Sequence, residues 1–173
     1  TIDDISNTAI GLHRALSATA DPRKARGTRR QGPLVHIGLD DFVGAFKTIA
    51  PDESQRWLAW SLIWDPRQQR YRAAEMYGCP FGALGSVLGW HRVGLFWRTV
   101  MRRLFTILML LYVDDAQILD AACLGSQAQD IFKELTALAG WTLDDAKRQK
   151  MGPTAVALGA RATMTRTHLE WVI

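Results

Sequence analysis

One stretch constrains this chain more than any other. Residues 104–113 run for ten positions without a charge, Asp114 and Asp115 follow, and Ala116-Gln117-Ile118-Leu119 resumes a largely apolar pattern. A membrane-spanning helix needs about 20 apolar residues. Arg102-Arg103 and Asp114-Asp115 close this run on both sides, so a buried element is expected instead. Residues 107–113 and 116–119, separated by two turn-tolerant residues, predict a tight β-hairpin with both aspartates at its tip. Adjacent carboxylates repel, and placing them together costs stability unless a positive charge lies between them. Magnesium removes that cost, because it takes hard oxygen ligands while keeping positions open for substrate phosphates. An acidic turn without metal is the plainer alternative, since Asp favours turns anyway.

A two-metal site needs a further carboxylate from another element. Residues 34–41, bounded by Gly32-Pro33 and carrying Val35 and Ile37, suit a strand, and its end offers Asp40 and Asp41. Strand alternation puts Asp41 with Val35, Ile37 and Leu39, and Asp40 with the more polar His36 and Gly38. That polarity favours Asp40; at this point either aspartate is open.

The remaining patterns surround these two elements. Ile5, Ala9, Leu12 and Leu16 fall at helical spacing, predicting an amphipathic helix over 3–19 that ends before Asp21-Pro22. Residues 21–32 hold five basic side chains against one acid, the pattern of an exposed basic loop. A hairpin is expected over 60–76, and a glycine-punctuated loop over 78–85. Trp90, Val93, Trp97, Val100 and Leu104 form a helical core stripe with Arg98, Arg102 and Arg103 largely off it. Ala128, Ile131, Leu135 and Leu138 mark another helix with Gly140 as its cap, and a last strand pair is expected between 141 and 165, broken at Gly152-Pro153. In order the elements read strand, helix, strand, strand, helix, strand. This predicts an α+β fold, a split β-α-β (ferredoxin-like) antiparallel sheet with helices on one face.

Composition removes other classes. At 173 residues the chain suits one domain or slightly more, and 48% hydrophobic residues exclude wholesale disorder. Cys79 and Cys123 have no CxxC partner, which argues against a disulfide framework or zinc ribbon. The four histidines are scattered, with no HExxH spacing, and neither a GxSxG nor a P-loop pattern occurs. A split β-α-β module that grips RNA without chemistry should carry a K/R-G-F/Y sequence on a central strand; none is present, and a bare acidic tip would repel RNA.

Tyr112-Val113-Asp114-Asp115 resembles the tyrosine-x-aspartate-aspartate signature of reverse transcriptases. Asp41-Phe42-Val43-Gly44-Ala45-Phe46, followed by Ile49 and Pro51, is similar to that family's first palm motif, and its spacing to Ala45-Phe46 selects Asp41 over Asp40. Pro80-Phe81-Gly82-Ala83-Leu84 resembles the loop that opens the template-facing palm helix, with Val87 where the family usually has proline. Residues 143–147 look like the later motif that ends in lysine, and Leu158-Gly159 is similar to the primer-grip hairpin. The five motifs stand in the family's order across 34–162.

The resemblance implies a polymerase palm over 34–162, partial fingers with the N-terminal helix and basic loop over 1–33, and the start of a connection to a missing thumb over 163–173. It implies RNA-directed DNA polymerase activity, with Asp41, Asp114 and Asp115 as ligands of two magnesium (or manganese) ions and Lys147 acting on the departing pyrophosphate. Phe46, Phe81, Gly82 and Tyr112 would bind the nucleotide. Arg98, Arg102 and Arg103 would contact the nucleic-acid backbone. The implied partners are an RNA or DNA template with primer and deoxynucleoside triphosphates, in an intracellular setting without a membrane. Thr1 opens the chain without Met and Ile173 closes it abruptly, so an excerpt of a longer polypeptide is expected, and a non-catalytic retroelement remnant is the companion alternative.

Overall fold

The computed structural model describes residues 2–19, 33–165 and 169–173. The predicted basic loop at 21–32 and His168 lie outside these residues. The chain runs α1 (Ile2–Thr19), β1 (Val35–Asp41), β2 (Trp60–Asp65), β3 (Arg70–Glu75), α2 (Leu84–Leu104) and β4 (Leu108–Tyr112). It continues through β5 (Asp115–Ala121), α3 (Gln127–Leu138), β6 (Gln149–Gly152), β7 (Thr154–Ala157), β8 (Ala160–Met164) and β9 (Leu169–Val172). Two compact units result, one of residues up to Val43 and from Phe96 onward, the other of Gly44–Leu95.

The larger unit is built on a four-stranded sheet in the order β4-β5-β1-β6, with every neighbouring pair antiparallel. β1 is nearly all buried because both faces of the sheet are covered. On one face, Val35, Ile37, Leu39 and Leu119 pack with Ile5 and Ala9 of α1 and with Ala155, Ala157 and Met164 of a second, three-stranded sheet β7-β8-β9. On the other lies α3, whose Gln129 amide abuts Gly38. The N-terminal helix α1 with its small sheet covers the face opposite α3. Alternation makes the face with His36, Gly38 and Asp40 the more polar one, and α3 buries it. The break at Gly152-Pro153 is observed, but β6 before it joins the main sheet while β7 after it pairs with β8.

Two helical stripes are rotated from their predicted positions. In α3 the buried positions are Ala128, Gln129, Phe132 and Thr136, while Leu138 is 84% exposed. Phe132 sets this rotation, meeting Phe42 and Trp97 edge-on at 5.7 and 6.0 Å between ring centres. In α2 the buried residues are Ser86, Trp90, Gly94, Trp97 and Met101, and Leu104 is exposed. Met101 takes the place expected of Val100 and Leu104. The β4–β5 turn also differs: Tyr112 pairs with Asp115, so the two-residue loop is Val113-Asp114. Asp115 begins β5 because its pairing with Asp41 extends the ladder by one step.

The smaller unit contains the expected hairpin, β2 with β3, in register from Trp60 opposite Glu75 to Asp65 opposite Arg70. A 3-10 turn at Glu53–Leu58 is capped by Asp52, whose side chain accepts from the Ser54 amide at 2.9 Å. Gly78 presses against the Lys47 backbone, leaving no room for a Cβ, and the Cys79 amide donates to the Ile49 carbonyl at 2.8 Å. Among the described residues no helix is long and apolar enough to cross a membrane.

Candidate metal centre

The β1–β5 ladder ends with Asp41 directly opposite Asp115, and Asp114 stands in the adjoining turn. One carboxylate oxygen from each of Asp41, Asp114 and Asp115 lies within 4.8 Å of the others. The Lys147 ammonium donates to Asp41 Oδ2, so a cationic group already sits on one of the three acids. Hard oxygen donors without His or Cys fit magnesium or manganese rather than zinc or copper. The residues present thus fit a divalent cation of that class.

The segment carrying Lys147 is tied to the end of β1 by backbone bonds. The Val43 amide donates to Thr142 O at 2.9 Å and the Asp144 amide to Asp41 O at 2.8 Å. The Lys147 and Arg148 amides then both donate to Asp144 O at 3.1 Å. A cavity of about 300 Å³ opens here, lined by Asp41, Asp115, Lys147 and the Leu158-Gly159 turn among others. That turn has positive φ at both residues, 54° and 79°, the conformation of a tight two-residue hairpin.

Burial, and then the neighbouring Asp114 and Asp41, push the Asp115 carboxyl up, and Lys147 pulls it back. The Lys147 ammonium is itself raised, chiefly by its hydrogen bond to Asp41.

Asp40 has a different environment. It is 2% exposed and turns to the α3 face. There Gln129 Nε2 donates to its Oδ2 at 3.1 Å and Arg148 Nε stands 3.3 Å from its Oδ1. Burial pushes it up to about 6, against the pull of Arg148 and Gln129. Asp41, the aspartate that motif spacing selects, belongs to the acidic cluster, and Asp40 does not join it.

The other expected site residues fall into separate groups. Tyr112 is half-exposed and cross-strand from Asp115. Arg98, Arg102 and Arg103 are exposed toward the C-terminal end of α2, and the last two, in its final turn, complement the helix dipole. In the smaller unit, Phe46 is buried and meets the exposed Phe81 edge-on, 5.7 Å between ring centres. Gly82 beside it has φ +87°, which a side chain would resist. Two polar residues were missed: Gln129 and Arg148. The available signal was Gly38, a glycine inside an apolar strand, which marks close approach by another group.

No protein-family model matches the chain, and neither does any curated protein. Among solved structures it is similar to the foamy viral protease-reverse transcriptase in complex with RNA/DNA hybrid. The TM-score is 0.58 at 15% identity, covering 74% of this chain and 16% of that one. The likeness is one of fold, and the chain spans a small part of that protein's length.

Proposed function

We propose that the chain is the palm region of an RNA-directed DNA polymerase, which transfers nucleotides to a primer 3′-hydroxyl under the direction of a template. The observation that carries this reading is the convergence of Asp41, Asp114 and Asp115 within 4.8 Å, with Lys147 bonded to Asp41. The strand order β4-β5-β1-β6, with helices after the first and third of those strands in sequence, supports a split β-α-β palm over 34–162. We assign 1–33 to fingers and 163–173 to the path toward a thumb. Likeness of fold to a reverse transcriptase solved with an RNA/DNA hybrid supports a primed template as partner.

Asp41 and Asp114 would hold two magnesium or manganese ions, with Asp115 as a supporting ligand. Bound there, such ions lower the pKa of a primer hydroxyl and neutralise triphosphate charge. In the transfer the primer 3′-hydroxyl gives up its proton to water, its oxygen bonds to the α-phosphorus of a deoxynucleoside triphosphate, and the bond from that phosphorus to pyrophosphate breaks. Lys147 keeps a proton and a positive charge at the carboxylates, available to the departing pyrophosphate. Phe46 supports the incoming sugar and rejects a 2′-hydroxyl by its bulk. We assign nucleotide contacts to Tyr112 in the larger unit and to the Phe81-Gly82 backbone in the smaller one. Arg98, Arg102 and Arg103 meet backbone phosphates.

Primer extension on an RNA template in magnesium, by this chain joined to the fingers and thumb that the resemblance implies, tests the reading. Deoxynucleotide incorporation is expected, falling in Asp114→Asn by at least the roughly hundredfold that loss of an outer metal partner can reach. Equal incorporation by the variant contradicts it.

A further inference from the structure

We infer that Gln129 is a positioning residue for the Asp41 carboxylate, acting through a buried amide network that includes Asp40 and Arg148. The inference rests on the metal centre proposed above.

Gln129 is fully buried on α3, where an apolar side chain would avoid the cost of burying an amide. Its Nε2 lies 3.3 Å from Leu39 O, 3.1 Å from Asp40 Oδ2 and 3.0 Å from Gln149 O, and its Oε1 accepts from the Met151 amide at 2.8 Å. These groups mark a break in the sheet. Between Ile37 opposite Gly152 and Leu39 opposite Gln149, β6 carries one residue more than β1. Such a bulge interrupts the ladder and leaves backbone groups without partners. The Gln129 amide supplies them from the helix, bonding the Gln149 carbonyl and the Met151 amide.

Gly38 supports this independently. A Cβ there would stand 2.6–2.8 Å from the Gln129 amide atoms, so the strand is cut back where the amide enters. The grip continues outward, from Asp40 to Arg148 Nε at 3.3 Å and from Arg148 Nη2 to Asp130 Oδ1 at 2.9 Å. Two of the groups held in this way, the Leu39 carbonyl and the Asp40 side chain, lie in the two residues before Asp41. From the far side the Asp144 amide holds the Asp41 carbonyl. The backbone bearing Asp41 is therefore clamped on both sides, which fixes its carboxylate against Asp115 and Asp114.

Outer partners of metal ligands typically change metal affinity by about 10–100-fold when removed. Manganese binding, read by the electron paramagnetic resonance of free Mn²⁺, tests the role on the whole chain. Gln129→Met and Arg148→Gln should each weaken binding by about tenfold or more. Thr136→Val, on the same helix and with its hydroxyl bonded to carbonyls of its own turn, should bind as wild type even if it melts lower. Wild-type affinity in both network variants, with Asp114→Asn impaired, overturns the positioning role and leaves the metal centre standing. No binding by the wild-type chain overturns both. If Gln129→Met fails to fold by circular dichroism, Arg148→Gln decides: a tenfold loss supports the role and wild-type affinity overturns it.

Discussion

Asp40 and Asp41 are neighbours in sequence with opposite surroundings. Alternation sends one carboxyl toward α3 and Arg148, and the other toward Asp115 and Lys147. Two adjacent basic residues thus serve two adjacent acids on opposite faces. The sequence makes Asp41 legible only through its spacing to Ala45-Phe46; polarity along the strand pointed to Asp40. Gln129 was illegible for a related reason: a glutamine between alanine and aspartate looks like a solvated helix position, and its partners are backbone atoms distant in sequence. Lys147 provides a test at this scale. Its ammonium occupies a cation's place on Asp41, so Lys147→Met should bind Mn²⁺ at least as tightly as wild type while incorporating nucleotides more slowly. Weaker Mn²⁺ binding would mean that Lys147 shapes the site and does not compete for it.

At the scale of elements, the β4–β5 hairpin was legible from its two apolar runs, but the turn lies one residue earlier than the paired aspartates suggested. Val113 has φ +56°, a region that costs an L-residue about 1–2 kcal/mol and is unusual for a β-branched one. Val113→Gly should therefore be more stable than Val113→Ala by about 1 kcal/mol, or about 2–4 °C in melting midpoint for a chain of this size. The opposite order would show that this turn conformation is not the one in solution. The α3 terminus allows a second test. Asp130 is held below the usual carboxylate range by the Ser126 hydroxyl first and then by Arg148. Its stabilisation is present above the unfolded value of 3.8 and is lost as pH falls through the lower folded value. Urea midpoints should drop on acidification below pH ~4 less steeply in Asp130→Asn, by no more than about 1 kcal/mol at this exposed pair.

For the whole molecule, the order of strands and helices was legible because long apolar runs and turn residues alternate clearly along the chain. The covering of both sheet faces was not, because α1 packs with β7–β9 through residues far apart in sequence. A net charge of +4 coexists with an acidic cluster, and Arg98, Arg102 and Arg103 carry part of the excess on the outer side of α2. Replacing these three with Gln should flatten the salt dependence of template–primer binding, lowering the slope of log K against log salt by about one for each phosphate that is no longer neutralised. Mn²⁺ affinity should remain, since none of the three belongs to the acidic cluster. An unchanged slope would place the nucleic acid elsewhere.

Asp41, Asp114 and Asp115 are proposed to bind together the divalent ions of a nucleotidyl-transfer site. Iron-directed backbone cleavage locates such a site most directly: Fe²⁺ is loaded in place of magnesium, hydroxyl radicals are generated, and the fragments are mapped by mass spectrometry. The expected cuts fall near 40–42, 113–116 and 147, are suppressed by excess magnesium, and disappear in Asp114→Asn. Cleavage at other positions, or the same pattern in Asp114→Asn, would contradict the account.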